Sequence, residues 1–267
     1  MQIFVINLDA KPRRWQRLAE LLQGLRFKRI VAVDGSTLDG PEQNGRPCPE
    51  ELSRYHRGCI LSHRAVYEEF LAGTDRYCCV LEDDVFLSPD FPKFINDDNW
   101  IPPDCDLVKI ETTRQPVLVI GRRIQCLNRQ ATRLHSLHLG TAGYIVSRRG
   151  AEILLEMTAN PARAMDRIVF GRAGRQRLQP VYQLIPALCI QGSHRGDGTI
   201  FPEMESSICR QAPPPPQPSP PKTTPAPKPL LAKVKRELLR PFKQLRAFKK
   251  AAGRRRTGLR REGVPFV

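Results

Sequence analysis

Three consecutive carboxylates, Glu82, Asp83 and Asp84, follow directly on an apolar run, Tyr77-Cys78-Cys79-Val80-Leu81. Neighbouring negative charges repel, so they need either water or a cation. If the apolar run is a strand that continues through Glu82, the side-chain period of two sends Glu82 and Asp84 to the same side. Carboxylates at the carboxyl end of a parallel strand lie where α/β sheets bind ligands. A hard divalent cation would remove the repulsion, and a diphosphate could complete its oxygen ligands. That is the chemistry a nucleotide-sugar donor requires: the cation holds the diphosphate and stabilises it as it leaves. A solvated acidic turn is the competing reading.

Such a triplet needs a sheet to position it. "QIFVINL" (2–8) reads as a buried strand. "KPRRWQRLAELLQGL" follows with apolar residues at helical spacing and Gly24 as an end signal. "FKRIVAVDG" (27–35) reads as a second strand, and strand–helix–strand within this length signals a parallel sheet. A loop over 36–52 leads to a predicted helix from about Ser53 to Ala72, with Cys59, His63, Val66, Tyr67 and Phe70 along one side. The acid-ended strand comes next, then "CDLVKIE" (105–111). "QPVLVIGRRIQCL" predicts a hairpin about Gly121, and "LGTAGYIVS" (139–147) a glycine-bearing loop and strand. "RRGAEILLEMTA" and "AMDRIVFGRA" read as helices, and "QPVYQLIPALCIQ" (179–191) as a last strand pair. The order predicts an α/β fold with a mixed sheet.

Of the 267 residues, those from Arg210 onward carry 16 Lys and Arg against two Glu, while the formal net charge of the whole chain is +16. The first 209 residues are therefore nearly neutral, and the basic character belongs to the end of the chain. Ten prolines between Ala212 and Pro229 predict a stiff, solvated linker. Three parts are expected: a domain over 1–209, a disordered Pro-rich linker over 210–229 and a basic amphipathic tail over 230–267. The eight cysteines (48, 59, 78, 79, 105, 126, 189, 209) include no C-x-x-C pair, which predicts free thiols and a reducing compartment. Neither a signal peptide nor a spanning segment is expected, so a cytoplasmic protein is predicted.

"VINLD", "VAVDG", "GCILSH", "VLEDDV", "LGTAGYIVSRRGAEILL" and "MDRIVF" occur in this order. In that order and spacing the chain resembles glycosyltransferase family 25, the lipooligosaccharide galactosyltransferase family, over about residues 2–209. The resemblance implies a GT-A-like, Rossmann-type nucleotide-sugar-binding fold. It implies inverting transfer of galactose from UDP-galactose to a lipooligosaccharide or lipopolysaccharide core acceptor. UDP-glucose as donor, or a degenerate non-catalytic fold whose basic tail binds nucleic acid or a partner, are the alternatives.

Position by position, the resemblance makes Glu82 and Asp84 donor and metal contacts, with Glu82 standing where the family motif usually has Asp. His194 is a further candidate metal or phosphate ligand, beside Arg195. The cation implied is Mn²⁺, or Mg²⁺. Asn7, Arg14 and Asp34 are candidates for the uridine and ribose, with a turn Asn, a turn Asp and a solvated Arg as alternatives. His63 faces either the donor or the core. Asp83 joins the donor set, and Gly140 and Gly143 would allow close backbone approach to the donor sugar. Asp166 occupies the position of the general base that takes the acceptor hydroxyl's proton; a helix N-terminal Asp favoured by the dipole is the competing reading. The expected partners are a UDP-sugar donor, a glycolipid acceptor and an anionic membrane surface touched by the tail, which places the protein peripherally at the inner face. Nucleic acid is not an expected partner.

Overall fold

The computed structural model describes residues 1–39, 52–195 and 258–267. The linker over 210–229 and the tail over 230–257 lie outside these residues. In chain order the first elements are β1 (Gln2–Asn7), α1 (Pro12–Leu21), β2 (Phe27–Val31), α2 (Arg54–Ala72), β3 (Tyr77–Glu82) and β4 (Val85–Leu87). Then come α3 (Phe91–Asn96), β5 (Leu107–Lys109), β6 (Glu111–Thr112), β7 (Val117–Cys126), β8 (Arg129–Leu134) and β9 (Gly143–Ser147). The last are α4 (Arg148–Met157), α5 (Met165–Val169), α6 (Arg172–Arg177), β10 (Val181–Ile185), β11 (Cys189–Gln191) and β12 (Leu259–Glu262).

Nine strands form one sheet in the order β12-β7-β8-β10-β5-β9-β3-β1-β2, and β4-β11-β6 form a smaller one. β1 runs parallel to both β2 and β3, whereas β9 runs antiparallel to β3 and β5. The fold is therefore mixed α/β. Both faces of the large sheet are covered, and the alternation of β1 shows it. Phe4 and Ile6 pack with Tyr67 and Phe70 of α2 and Leu154 of α4. Ile3 and Val5 pack with Leu18 of α1 and Phe91 and Phe94 of α3. Cys78 and Cys79 divide between the same two layers, as adjacent strand residues must. The six cysteines among the described residues are free thiols. Pro12 opens α1 at a position where its missing N–H costs nothing. The Ser53 and Ser147 hydroxyls cap α2 and α4. Among the described residues no helix is long and apolar enough to cross a membrane.

Several expectations change. The chain does not turn at Gly121. β7 passes through it with positive φ and a register shift between Ile120 and Ile124, so the glycine serves a bulge. The hairpin turn lies between Cys126 and Arg129, with Leu127 also at positive φ. β10 and β11 do not pair with each other but enter different sheets. "AMDRIVFGRA" forms two short helices broken at Gly171. Finally, residues 258–267 are not tail. β12 adds to the large sheet against β7, and Val264 is buried. The described fold therefore joins residues 258–267 to residues 1–39 and 52–195, and the domain is not a single stretch ending at 209.

Candidate active site

The acids stand where β3 ends, at the wall of a cavity of about 370 Å³ lined by residues of β1, α1, α2 and β3. Arg14, Asp34, His63, Glu82, Asp83 and Asp84 all line it. The motif glycines explain how α2 comes so close. A Cβ on Gly58 would meet the Val33 carbonyl oxygen at 2.7 Å and the Gly35 backbone nitrogen at 2.9 Å. Only glycine lets this part of α2 press onto the segment that follows β2, which carries Cys59, Ser62 and His63 to the cavity. Ser62 fastens the contact: its hydroxyl accepts from the Val33 N–H at 2.9 Å and donates to the Gly58 carbonyl at 2.7 Å.

Asp83 has partners of its own. Its carboxylate accepts from Asn7 Nδ2 at 2.6 Å and from Arg14 at 2.9 Å. Asn7 also donates to the Lys11 carbonyl at 3.1 Å and accepts from Arg29 Nε at 2.8 Å. Its amide is thus fully engaged and buried. Asn7 thus holds Asp83 in place. Asp34 keeps its place on the cavity wall, where its carboxylate accepts from Ser36 N–H at 2.8 Å.

Glu82 and Asp84 do converge. Gln191 Nε2, at the end of β11, donates to Glu82 Oε2 and to Asp84 Oδ1, each at 3.3 Å. Thr141 donates to the other oxygen of Glu82 at 2.8 Å. Burial pushes the Asp84 carboxyl well above the usual carboxylate range, and the charges of Glu82 and Asp83 add to it. Burial also raises Asp83, against the pull of Arg14 and Asn7. Glu82 ends below its ordinary value, because His63, Thr141 and Lys109 outweigh burial. Three acids thus share this site with Arg14, which approaches Asp84 only to 4.0 Å. That donor set fits a hard divalent cation, which would relieve the repulsion.

His63 is buried in a chain of polar contacts. Its Nδ1 lies 2.8 Å from the Tyr144 hydroxyl, which lies 2.6 Å from that of Tyr67. Its Nε2 faces Glu82 Oε1 at 3.5 Å. It is buried and also lines the cavity.

Asp166 is the second residue of α5 and accepts from the Gly140 N–H at 3.4 Å. It touches the glycine loop without lining the cavity. His194 sits in a short turn after β11, where burial and the charge of Lys109 lower its pKa. It follows Gln191 and Gly192, which themselves contact Glu82 and Asp84.

The glycine loop rests on groups the sequence reading missed. Lys109 and Glu111 are fully buried and paired at 2.5 Å. Lys109 Nζ donates to the Gly140 carbonyl at 2.5 Å, and Glu111 accepts from the Ala142 N–H at 2.9 Å. The pair therefore fixes the loop on which Thr141 reaches Glu82. The signal was present in "VKIE", where the two charges alternate with apolar residues.

Gly140 and Gly143 are also explained from inside. A Cβ on Gly140 would lie 2.6 Å from Glu111 Oε1, and one on Gly143 only 2.1 Å from Cys189 Sγ. The space that a Gly143 side chain would need is taken by the protein. Gly143→Ala is expected to destabilise the fold by about 1–3 kcal/mol through overpacking. Cys189→Ala in the same chain should recover part of that loss, because the two sites couple. Thermal melts of the single and double variants check this, and additive losses would contradict it.

A mixed α/β sheet that presents clustered acids at the end of a parallel strand, beside an open cavity, defines a ligand-binding α/β protein of the enzyme type. More narrowly, the chain belongs to glycosyltransferase family 25 (LPS biosynthesis protein), whose profile matches residues 1–169. It is similar to the Lacto-N-neotetraose biosynthesis glycosyltransferase LgtE of Neisseria gonorrhoeae, 33% identical over 73% of this chain and 75% of that protein. The meningococcal (serogroup B) LgtE is 35% identical over 54% of this chain and 55% of that protein. The Lipooligosaccharide biosynthesis protein lex-1 of Haemophilus influenzae is 33% identical over 52% and 50%. The chain thus spans about half the length of several curated relatives it matches. Among solved structures, a glycosyltransferase involved in glycosylation of the major capsid of PBCV-1 aligns with a TM-score of 0.42. The two are 11% identical over 79% of this chain and 96% of that one.

Proposed function

We propose that this chain transfers a hexose, galactose from UDP-galactose, onto a lipooligosaccharide or lipopolysaccharide core acceptor, with inversion at the anomeric carbon. The observation that carries the reading is the convergence of Glu82 and Asp84 on one amide at the cavity wall. Family membership and the relatives' printed roles in lipooligosaccharide biosynthesis support it. Glu82 and Asp84 would hold a divalent cation, Mn²⁺ or Mg²⁺. When bound, that cation would neutralise the donor diphosphate and the charge it gains on leaving. Arg14 and Asn7 engage Asp83, which leaves Glu82 and Asp84 as the pair joined by Gln191. Thr141 and Gln191 fix the Glu82 carboxylate in orientation. Incubating the protein with Mn²⁺, a panel of UDP-sugars and a core-oligosaccharide acceptor tests the reading through UDP release. No release with any donor would favour the degenerate fold, and a preference for UDP-glucose would reassign the donor.

Asp166 is proposed as the base that takes the acceptor hydroxyl's proton. Asp166→Asn is expected to keep UDP-sugar affinity and to lower turnover about 100-fold, at the modest end of general-base effects. Its hydrogen bond from Gly140 can be accepted by the amide oxygen, so the loop should persist. Equal turnover in variant and parent would return Asp166 to a helix-terminal role.

The basic segment is proposed to hold the enzyme at an anionic membrane surface. Residues 230–257 carry 11 Lys and Arg against one Glu, and each basic side chain near such a surface contributes on the order of 1 kcal/mol. A few engaged residues would therefore suffice. An internal deletion of 230–257 that retains 258–267 is expected to lose sedimentation with anionic vesicles while keeping activity on a soluble acceptor. Unchanged sedimentation would exclude the anchor.

A further inference from the structure

On the α2 side of Glu82 lies a second group of donors. Cys59 Sγ, His63 Nε2 and a Glu82 carboxylate oxygen all lie within 4.8 Å of one another. They come from two elements: successive turns of α2, at i and i+4, and the last residue of β3. All three residues line the same cavity, so the remaining coordination positions open onto solvent.

His63 supplies the independent observation. Its Nε2 is buried and makes no hydrogen bond. The Glu82 oxygen at 3.5 Å is too far for one, since N–H···O bonds cluster near 2.9–3.0 Å. The other ring nitrogen is held by the Tyr144 hydroxyl. If Nδ1–H donates to Tyr144, and Tyr144 in turn to Tyr67, the hydroxyl chain is satisfied. In that tautomer Nε2 presents a lone pair towards a carboxylate, an arrangement that a divalent cation would bridge. A histidine whose far nitrogen is fixed by a hydrogen bond is the usual arrangement of a metal ligand.

We infer that Cys59, His63 and Glu82 form a site for a thiophilic divalent cation of the zinc class, distinct in chemistry from a hard-cation site at Glu82 and Asp84. Sulfur, imidazole and carboxylate match zinc or cobalt, whereas magnesium and manganese prefer oxygen. Zinc bonds of about 2.0–2.3 Å need ligand atoms a little closer than they stand here, a change within reach of side-chain rotation. Burial and the charge of Glu82 keep Cys59 a thiol, so metal entry expels its proton to solvent. The inference shares Glu82 with the transfer reading but does not rest on it, and its test involves neither donor nor acceptor.

The test is a cobalt titration of the full chain carrying Cys48→Ser and Cys209→Ser, which removes the two thiols outside the described residues. One Co²⁺ per chain is expected, with a near-ultraviolet thiolate-to-cobalt absorption band that Zn²⁺ displaces and Mg²⁺ does not. Cys59→Ser should abolish the band. His63→Gln should weaken Co²⁺ binding by at least about tenfold, since even outer-shell partners change affinity by 10–100-fold. Absence of the band, its persistence in Cys59→Ser, or unchanged affinity in His63→Gln would each overturn the site. If a variant fails to fold, alkylation of the unsubstituted protein decides. Zn²⁺ should protect Cys59 from iodoacetamide in peptide mass spectrometry, and equal labelling with and without Zn²⁺ overturns the inference.

Discussion

Asp84→Ala is expected to lower sugar transfer by about 1,000-fold while leaving the protein folded. The size follows from what the carboxylate would hold. A cation on a departing diphosphate contributes several kcal/mol, and about 4 kcal/mol corresponds to three orders of magnitude in rate. Survival of the fold follows from the local charges. Asp84 is buried beside Glu82 and Asp83, and burial and those two charges raise its carboxyl well above its ordinary value. Its principal partners are the Gln191 amide, which also serves Glu82, and a distant Arg14. Alanine removes a repelled group and leaves Gln191 a remaining acceptor, so the melting temperature should hold or rise. A residue that lowers activity without lowering stability is a working residue. The measurement is UDP release under saturating Mn²⁺ beside a thermal melt. Full turnover in the folded variant, or in parent protein with excess chelator, would remove Asp84 and the cation from the reaction together.

Much of this site was legible because strand periodicity and chain order are local. The run Tyr77–Leu81 reads as buried, and the acids end it, as β3 ends at Glu82; Asp83 then finds its own partners in Asn7 and Arg14. The parallel strands β1, β2 and β3 and the extent of α2 follow from apolar spacing in the same way. Other features depend on pairings distant in sequence. Gln191 approaches Glu82 across 109 positions, and nothing near residue 191 announces it. Gly143 reads as a loop glycine open to a ligand until Cys189 from another sheet fills the space. Lys109 and Glu111 were visible as alternating charges, yet a fully buried pair is rare enough that nothing in the sequence marked them as one. The largest departure lies at the end of the chain. Leu259, Arg260, Arg261 and Glu262 have the composition of a basic tail, and only the open edge of β7 makes a strand of them.

Deleting residues 258–267 is accordingly expected to destabilise the whole domain by roughly 5 kcal/mol, a large share of the 5–15 kcal/mol typical of a native protein. Three losses combine. Val264 is 2% exposed, and burial of a valine side chain contributes about 1.5–3 kcal/mol. Two inner groups lose their partners: the Ala187 N–H donates to the Pro265 carbonyl at 2.8 Å, and the Thr112 hydroxyl to the Val264 carbonyl at 2.6 Å. Each orphaned group costs about 1–3 kcal/mol unless water reaches it. The ladder from Leu259 to Glu262 also disappears, leaving β7 as a bare edge with Val117 and Val119 beneath it. Such an edge invites pairing with another chain. Urea denaturation should show a lower midpoint, and light scattering should show association of the shortened protein. An unchanged midpoint would mean that β12 is an ornament of the sheet. The distinction bears on every experiment that trims this protein. A truncation near Arg210 removes the edge strand along with the basic segment, so lost activity or altered vesicle binding in such a fragment would report on unfolding as much as on membrane contact. The internal deletion of 230–257 separates the two effects, because it leaves the strand attached to the sheet it completes.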